Sequence, residues 1–363
     1  MKKKILFTLY DLSIGGIPTS FLNMVKRLDF AKYDVTVVLQ RKEGVFLDAL
    51  PNDVHIINYN INKFKIVLIS KIINRLKLLK FILLYKNKFD FSGCYFTYCV
   101  HSSLIAKLAS KNNAIWIHTD LVDYCKYNNI NIYDFMEKYS ILDYKNIFCV
   151  SQRTTSSLKK LFQDNADSFK LLKNIVNIDN VKKLSEVPIS LKKSKITTFI
   201  FAGRFDEKEK KISYIIEACN ILKKQNYAFK ILLLGDGQDK DYYIDLINKY
   251  NLIENIYFIL PTNNPFPYFK ISDCFILTSL YEGYPVVYNE AIILKLPIIT
   301  TNVSDAMIDI VTNYGLVINL DVDELVAAMK NIIQCKFKVK IGNNIEVNNN
   351  KYIKLLSKII EEK

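Results

Sequence analysis

The sequence predicts an α/β protein built from two doubly wound parallel-sheet domains, and three observations lead to this prediction. The chain has 363 residues, which exceeds the size at which a single hydrophobic core usually keeps growing. Half of the residues are apolar, enough to fill two cores. Strand-like runs alternate with helix-like segments along both halves, as in parallel sheets joined by crossover helices.

The first half begins this alternation at its amino terminus. The predicted strands are 5–10, 35–40, 55–57, 93–99, 114–118 and 146–150, and the predicted helices are 18–28, 66–86 and 101–111. The terminal lysines and apolar run look superficially like a signal peptide. Asp11 and a Gly-Gly turn follow, however, instead of a longer apolar region and a cleavage site, so we interpret the run as a first strand.

The alternation breaks near residues 174–179, a polar connection follows through Pro188 to Lys195, and the alternation then resumes. The predicted strands of the second half are 197–202, 230–234, 255–259, 274–277, 297–301 and 316–317. A polar, Asn-rich stretch at 336–350 predicts a surface loop, and 352–360 a final helix. We therefore expect domains at 1–183 and 184–345, with a terminal segment at 346–363 that packs back on the first domain.

Charge and cysteine usage narrow the class of protein. Residues 1–183 hold 28 Lys or Arg against 15 Asp or Glu, whereas the remainder holds 22 against 21, so the net charge of +14 belongs almost wholly to the first half. No recognisable nucleic-acid-binding module accompanies this charge, and no apolar run reaches the ~20 residues of a membrane span. The seven cysteines are scattered and contain no Cys-x-x-Cys pair, which indicates reduced thiols in a cytoplasmic protein.

The stretch Tyr-Glu-Gly-Tyr-Pro-Val-Val-Tyr-Asn-Glu at 281–290 carries the most chemistry. Glu282 follows an apolar strand, and Glu290 lies on the predicted helix 286–294, whose first position suits Pro285. Ligands of open α/β sheets bind at the carboxyl ends of strands. A glutamate in the first turns of a helix can accept two hydroxyl donors from a diol such as ribose.

A second cationic motif follows the first strand of the second half. Gly203-Arg204 ends this strand, and Lys208, Lys210 and Lys211 come within a few residues. An arginine offers planar bidentate contacts and a nearby lysine a mobile point charge, which together suit a diphosphate. Spacing alone does not decide between Lys208 and Lys210.

Weaker signals stand at other strand ends. Gly15-Gly16 lies between a strand and a helix, where a bare backbone can approach an anion, and Gly235 follows another strand in the same way. His118 ends a first-half strand. The triplets Asp239-Lys-Asp241 and Asp321-Val-Asp323 precede helix-like segments, so we interpret them as helix caps and predict no metal site.

The pattern Ser-x-Tyr-Glu-Gly-x-Pro-x-x-x-x-Glu-Ala, together with Gly-Arg, Gly-x-Gly and Gly-Gly, resembles glycosyltransferase family 4 over nearly the entire chain. The resemblance implies a GT-B fold, in which the two domains face one another across a cleft. It also implies retaining transfer of a sugar from a nucleotide-diphosphate sugar (UDP- or GDP-linked) to a hydroxyl of a glycan or lipid-linked glycan, as in bacterial surface-polysaccharide assembly. No essential metal or other cofactor is implied.

By the same resemblance, the donor-binding residues divide by the part of the donor they hold. Arg204 and Lys210 would hold the diphosphate, although Lys211 stands where the family has glycine and the loop is one residue longer. Glu290 would hold the ribose. Glu282 and His118 are the expected catalytic residues at the sugar, and the remaining donor-binding residues are Gly15, Gly16, Gly235, Gly283, Tyr284, Pro285 and Val286.

Two alternatives stay open at this stage. The altered loop at Lys210 and Lys211 also fits a non-catalytic nucleotide-sugar-binding or glycan-assembly protein. Residues 63–88 hold eight Lys or Arg and no acidic residue, with an apolar stripe at Ile69, Ile72, Ile73, Leu76, Leu79 and Leu83. On the opposite side of this helix, Val67, Leu78 and Ile82 lie with Lys71 and Arg75. A basic face interrupted by exposed aliphatic residues fits peripheral contact with an anionic membrane at the inner face of the cell membrane. The alternative is an ordinary amphipathic helix covered by neighbouring loops.

Overall fold

Two all-parallel β-sheets organise the chain, each within its own unit of the structure. The computed structural model describes residues 1–60, 67–303, 314–335 and 345–362, with only the backbone at position 67. The first unit comprises Met1–Ile175 together with Val347–Lys363, and the second comprises Val176–Glu346. The predicted fold class, α/β with two doubly wound parallel sheets, is confirmed.

The sheet of the first unit has the strand order β3-β2-β1-β4-β5-β6-β7 in the described residues. Its strands are β1 (Lys3–Leu9), β2 (Tyr33–Leu39), β3 (Val54–Asn58), β4 (Phe91–Cys94), β5 (Asn113–Ile117), β6 (Asn146–Cys149) and β7 (Phe169–Leu171). Its helices are α1 (Gly16–Val25), α2 (Val67–Tyr85), α3 (Val100–Ala109), α4 (Leu121–Tyr127), α5 (Ile132–Lys138) and α6 (Gln152–Leu161).

Alternating side chains explain why helices cover both faces of this sheet. On β1, Ile5 and Phe7 belong to a core that also contains Phe21 of α1. Leu6 points to the opposite face and packs in a cluster with Phe81 of α2. Because successive strand residues face opposite sides, an unbroken apolar run such as this one needs cover on both, and crossover helices provide it.

The sheet of the second unit has the order β10-β9-β8-β11-β12-β13 in the described residues. Its strands are β8 (Thr198–Ala202), β9 (Lys230–Leu234), β10 (Ile256–Ile259), β11 (Cys274–Leu277), β12 (Ile298–Thr301) and β13 (Gly315–Ile318). The described helices after residue 175 are α7 (Ile178–Ser185), α8 (Glu207–Lys210), α9 (Ile212–Lys224), α10 (Lys240–Lys249), α11 (Phe266–Ile271), α12 (Val286–Ile293), α13 (Val322–Ile333) and α14 (Ile345–Glu361). Most of α14 belongs to the first unit.

The unit boundary lies earlier than residue 183. Residue 183 falls inside α7, and Val181 of this helix packs in the core of the second unit. The last helix begins at Ile345 rather than 352, so the predicted loop at 336–350 is helical from 345 onward. The rest of that stretch, 336–344, lies outside the described residues. Within α14, Tyr352 and Leu356 pack in the core of the first unit.

Other sequence predictions need correction at their ends. The strand predicted to reach residue 99 stops at Cys94, after which Tyr95–Cys99 forms a connection to α3. The first helix starts at Gly16, two residues before Pro18. Pro285 occupies the N-cap position of α12, one residue before the first helical residue. Six of the seven cysteines are buried, and Cys335 at the end of α13 is exposed.

Candidate functional site

The carboxyl edge of the second sheet carries the predicted charged residues. Strand β8 lies between β9 and β11, so the chain order reverses there, and such a switch point is where open α/β sheets bind ligands. The loops after β8 and β11 are joined directly. The Leu280 amide donates to the Glu209 carbonyl at 2.8 Å, and the Thr278 hydroxyl lies 2.9 Å from the Lys210 carbonyl.

Lys210 and Glu282 form the centre of this edge. Lys210 Nζ lies 2.5 Å from Glu282 Oε1, and each side chain is only 13% exposed. The Ser279 hydroxyl donates to the same Glu282 oxygen at 2.8 Å. Burial opposes the charge on Lys210, but the two neighbouring carboxylates outweigh it and raise the pKa of the ammonium above its ordinary value. The structure thus brings together one predicted phosphate ligand and one predicted sugar ligand.

Glu209 connects the two predicted cations, and the sequence reasoning did not identify it. Its Oε1 lies 2.6 Å from Lys210 Nζ, while Oε2 lies 2.7 Å from an Arg204 nitrogen. Burial would raise the pKa of Glu209, yet Lys210 and Arg204 together lower it. An acidic residue beside lysines in an exposed-looking loop gives no sequence signal for this role. Glu209 therefore pairs with both cations at once.

Arg204 and Lys208 differ from Lys210 in their exposure. The Arg204 side chain is 63% exposed and also lies 3.6 Å from Asp206 Oδ2. Burial works against its charge, whereas Glu209 and Asp206 favour it and raise its pKa overall. Lys208 is exposed on α8, where its backbone amide donates to the Asp206 side chain. Of the two competing lysines, the structure joins Lys210 to the carboxylate cluster.

Lys211 has a left-handed backbone conformation, with φ of 51° and ψ of 44°. This is the position where family 4 has glycine. Glycine adopts this conformation without steric cost, whereas other residues lose roughly 1–2 kcal/mol. The substitution therefore keeps the backbone turn that the glycine would make.

Glu290 lies on α12 and is 5% exposed. Among the residues that the structure describes, no charged group shifts the pKa of its carboxyl, and burial raises this pKa to about 7. A buried carboxylate without a cation is costly unless hydrogen-bond donors reach it. Because glutamate accepts at both oxygens, two neighbouring hydroxyl groups of a ligand would provide those donors.

The turn between Glu282 and α12 includes the remaining predicted residues of this loop. Val286 is buried, and the Tyr284 hydroxyl donates to Asn289 Oδ1 at 3.3 Å. Gly283 and Pro285 complete the turn before α12. The side chains of this turn are thus anchored on α12, and its backbone follows directly on Glu282.

Gly235 is needed for packing. It has φ of +147°, and a Cβ atom here would come within 1.9 Å of the Gly203 carbonyl oxygen. The close approach joins the ends of β8 and β9, since the Gly203 amide also donates to the Leu234 carbonyl at 3.0 Å. The close packing of these two strand ends therefore explains why the residue is glycine, without any contact to a ligand.

Gly15 and Gly16 stand at the carboxyl edge of the first sheet, at the start of α1. A Cβ atom at Gly16 would meet nothing within 4 Å, and one at Gly15 would make only an ordinary contact with Pro18. Packing within the first unit therefore does not require glycine at either position. Open space beside the start of a helix is compatible with a ligand at this edge.

His118 follows β5 and is held by Tyr95. Its Nε2 lies 3.0 Å from the Tyr95 carbonyl oxygen, and the two rings are 4.8 Å apart. Because a carbonyl only accepts, Nε2 carries the hydrogen and Nδ1 is the acceptor of the neutral ring. Burial lowers the pKa of His118 to about 4, so the ring is neutral at neutral pH and is a hydrogen-bonding group rather than an acid.

Asp120 does not orient His118. Its carboxylate caps α4 by accepting from the Val122 and Asp123 amides at 3.2 and 3.3 Å. Arg153 Nε lies 3.2 Å from the other carboxylate oxygen. The residue is therefore structural. Of the two Asp-x-Asp triplets, Asp321 caps α13 through the Glu324 amide, as predicted.

Asp239 occupies the N-cap position of α10, but its side chain makes no capping hydrogen bond there and instead accepts from the Glu207 amide at 2.7 Å. In the residues that the structure describes, no group of three or more His, Cys, Asp and Glu side chains is arranged to hold a metal ion.

A row of aromatic rings also lies at the carboxyl edge of the first sheet, and the sequence reasoning missed it. Tyr10 follows β1 and Phe96 follows β4, with ring centroids 5.7 Å apart. Tyr98 continues the row at 5.7 Å from Phe96, and Tyr124 of α4 at 5.8 Å from Tyr98. All four side chains are half-buried, so the row gives this edge an aromatic surface.

Comparisons with known proteins find similarity to glycosyltransferases. Residues 183–350 match the family described as glycosyl transferases group 1. An uncharacterized glycosyltransferase of Methanocaldococcus jannaschii is 30% identical over 197 residues, 52% of this chain and 47% of that protein. The N-acetylgalactosamine-N,N'-diacetylbacillosaminyl-diphospho-undecaprenol 4-alpha-N-acetylgalactosaminyltransferase of Campylobacter jejuni is 24% identical over 225 residues, 60% of each chain. The chain thus aligns with less than two thirds of either relative.

A solved structure extends the likeness to the whole fold. HepE of Anabaena, crystallised with UDP and glucose, superposes with a TM-score of 0.71 at 16% identity, covering 98% of this chain and 99% of that one. The two parallel-sheet units are therefore those of the GT-B fold, as the resemblance implied.

Proposed function

We propose that this protein is a retaining glycosyltransferase of family 4, because residues 183–350 match the family of glycosyl transferases group 1. It moves a hexose or N-acetylhexosamine from a nucleotide-diphosphate sugar to a hydroxyl of a glycan or lipid-linked glycan. The process is cell-surface polysaccharide biosynthesis at the cytoplasmic face of the membrane. The observation that carries the proposal is the cluster of Arg204, Lys210 and Glu282 at the switch point of the second sheet.

Arg204 and Lys210 hold the donor diphosphate in this proposal. Glu209 keeps the two cations close before the donor binds, and the exposed Arg204 turns from Glu209 to the phosphates. When the bond to the sugar breaks, negative charge grows on the leaving diphosphate. Fixed cations at that point stabilise the transition state more than the ground state.

Glu290 accepts hydrogen bonds from the two ribose hydroxyls of the nucleotide. Its burial without a cation supports this assignment. The ionised carboxylate is the better acceptor, so binding would lower the pKa of Glu290 from its raised value. The donor base, UDP or GDP, is open, and HepE with bound UDP favours testing uridine nucleotides first.

In the second unit, Glu282 and the backbone of 283–286 hold the sugar ring of the donor. In the first unit, Nδ1 of the neutral His118 can accept from a hydroxyl of a bound sugar, and Gly15 and Gly16 leave space for a ligand at the edge of that sheet. In the transfer step, the bond between the anomeric carbon and the diphosphate breaks while the acceptor oxygen bonds to the same face of that carbon. The acceptor proton passes to the leaving phosphate oxygen, so the step needs no protein nucleophile and yields the nucleoside diphosphate and the glycoside.

The acceptor is the least constrained partner. The aromatic row of Tyr10, Phe96, Tyr98 and Tyr124 supports a glycan, because half-buried rings offer apolar faces with hydroxyl groups at their rims. The name of the Campylobacter jejuni relative describes an acceptor on diphospho-undecaprenol, which favours a lipid-linked glycan here.

A panel of UDP- and GDP-sugars tests the donor assignment directly. A ligand that binds only the folded protein raises the melting temperature by mass action. We expect one nucleotide sugar to stabilise the protein more than its free nucleotide does. A protein that no member of the panel stabilises would contradict the proposal.

Glu282→Gln tests the catalytic step with that donor. The amide keeps an acceptor for the Ser279 hydroxyl but loses the charge beside the sugar. We expect transfer to fall by about 10²–10³-fold while nucleotide affinity stays within a few-fold of wild type. Glu254→Gln, at an exposed position before β10, is the matched control and keeps full activity. Lost nucleotide binding with normal turnover at saturation would overturn the assignment.

The alternative function, a non-catalytic protein that binds nucleotide sugars or assembles glycans, depends on the altered loop at Lys210 and Lys211. The left-handed Lys211 retains the glycine conformation, and Lys210 joins the carboxylate cluster, so the loop gives this alternative less support. Donor hydrolysis measured without an acceptor separates the two functions, since a pure binding protein releases no sugar.

A further inference from the structure

Helix α2 presents an aliphatic face that neighbouring residues of the first unit leave exposed. Six large side chains of this face are between 43% and 83% exposed, namely Leu68, Ile69, Ile72, Leu76, Leu79 and Leu83. At 3.6 residues per turn they lie within about 60° of one line along the helix. We call these six residues the aliphatic face of α2. Exposed apolar residues that lie together mark interaction sites.

The opposite side of α2 holds the helix on its unit. Phe81 is 4% exposed and packs in a cluster with Tyr59 and Ile105, with Leu78 and Tyr85 against it. The helix therefore stays in place through a different set of side chains. The aliphatic face is not needed for this packing.

The charges around the aliphatic face are all positive. Residues 67–89 include six Lys or Arg and no acidic residue. Lys71 and Arg75 flank the face on one side and Lys80 on the other, and all three are exposed. Aliphatic side chains bordered by cations suit a surface that is both apolar and anionic. A protein partner of that kind would have to combine an apolar patch with an acidic rim, whereas an anionic bilayer offers both everywhere.

We propose that the aliphatic face of α2 docks on an anionic lipid bilayer, with α2 lying parallel to the membrane surface. The 19-residue helix is about 28 Å long, and its aliphatic side chains enter the boundary of the acyl chains while the flanking cations meet lipid phosphates. Across the described ranges, every helix is too short or too polar to span a bilayer, so α2 makes a peripheral contact. The inference depends on α2 alone and not on the proposed sugar transfer.

Vesicle cosedimentation of the full chain tests this proposal. The probes are vesicles of phosphatidylcholine alone and vesicles with equal amounts of phosphatidylglycerol and phosphatidylcholine. We expect the protein to sediment with the anionic vesicles only, and less so as salt rises. Leu76→Glu/Leu83→Glu should lower the partition coefficient by about tenfold or more, and Lys71→Glu/Arg75→Glu should lower it on anionic vesicles.

Ile253→Glu/Leu260→Glu is the matched control. These residues lie in the second unit and are 66% and 70% exposed, so the change in charge and apolar surface is the same. The control should bind anionic vesicles like wild type. All variants change exposed positions, and an unchanged melting temperature verifies that each one folds.

Three results would overturn the proposal. Wild type that stays in the supernatant with anionic vesicles excludes the bilayer as partner. Equal losses in the control and in Leu76→Glu/Leu83→Glu exclude α2 as the docking surface. A wild-type dimer in light scattering that Leu76→Glu/Leu83→Glu converts to monomer would assign the face to a second copy of the chain. Stabilisation by nucleotide sugars, measured in parallel, is independent of each outcome.

Discussion

The carboxyl edges of the two sheets share a switch-point topology but carry different kinds of side chains. At the second sheet the residues are charged and paired, with Glu209 between Arg204 and Lys210, and Lys210 against Glu282. At the first sheet the edge carries aromatic rings, and its histidine, His118, is neutral because burial lowers its pKa to about 4. Both edges lie at switch points of parallel sheets. The sheet topology therefore determines where a ligand can bind, and the side chains of the loops determine which ligand it is.

Under the proposed function, this difference assigns the two edges different ligands. A charged edge suits the diphosphate and ribose of an activated donor, and an aromatic edge suits the less charged rings of a glycan. Variants at each edge test these assignments.

Lys210→Ala should have the largest effect. It leaves Glu209 and Glu282 facing one another without their shared cation, which we expect to lower the free energy of unfolding by roughly 3–5 kcal/mol and to abolish nucleotide binding. Urea unfolding and nucleotide titration measure the two effects. Lys208→Ala, two residues away and exposed, should change neither. Equal effects at both positions would show that the paired geometry is not what matters.

Glu290→Gln should stabilise the protein at high pH. The folded-state pKa of about 7 lies above the ordinary value, so ionisation costs the folded state increasingly as pH rises and fully above that value. The variant should therefore be more stable than wild type at about pH 8 by roughly 2–4 kcal/mol, and about equal near pH 4.

Glu290→Gln should weaken nucleotide binding, although it stabilises the folded protein at high pH. Wild-type affinity rises with pH through about 7, as Glu290 ionises to accept the ribose hydroxyls. Glu290→Gln should bind more weakly, with no such pH dependence. A pH profile that is the same in wild type and variant would remove Glu290 from the ribose site.

Gly235→Ala and Gly16→Ala should separate packing from ligand access. The first places Cβ against the Gly203 carbonyl at a positive φ and should destabilise by roughly 2–4 kcal/mol. The second meets nothing within 4 Å, so stability should hold while transfer falls. Thermal unfolding and a transfer assay on the same samples measure both. Full activity in Gly16→Ala would count against a ligand at that edge.

Lys211→Gly should give the smallest effect. Relief of the left-handed lysine stabilises the protein by about 1 kcal/mol, partly offset by the greater entropy of glycine in the unfolded chain. Donor affinity should stay unchanged, because the backbone turn is the same. A loss of donor affinity would instead assign the Lys211 side chain a direct contact.

Every described strand except the three-residue β7 was predictable from the sequence, and so was the position of the candidate site residues beside strand ends, for one reason. Buried parallel strands are nearly continuous apolar runs, and their carboxyl ends determine where Arg204, His118 and Glu282 must lie. The helices α4 and α5 were missed because two turns of mixed polarity give little periodicity. The helices α6 and α7 are amphipathic but contain few apolar residues, so their sequences resemble polar loops. The helical start of α14 was missed because asparagines there resemble a loop.

Features that depend on three-dimensional partners could not be predicted. Glu209 stands beside a lysine in sequence, and only the fold places its two oxygens on different cations. Both sides of α2 are aliphatic, so periodicity could not tell which one Phe81 would bury. The sequence left the membrane and covered-helix interpretations open, and the covering residues decide which stripe is exposed.

Cys335 has an exposed thiol that can be labelled chemically. The other six thiols are buried, and for Cys94 and Cys149 burial raises the pKa to about 12, so they react slowly with electrophiles at neutral pH. A maleimide dye should therefore attach at a single position, at the end of α13, without prior mutagenesis. The same exposure makes handling without a reductant a source of covalently linked pairs of molecules, which non-reducing electrophoresis would reveal.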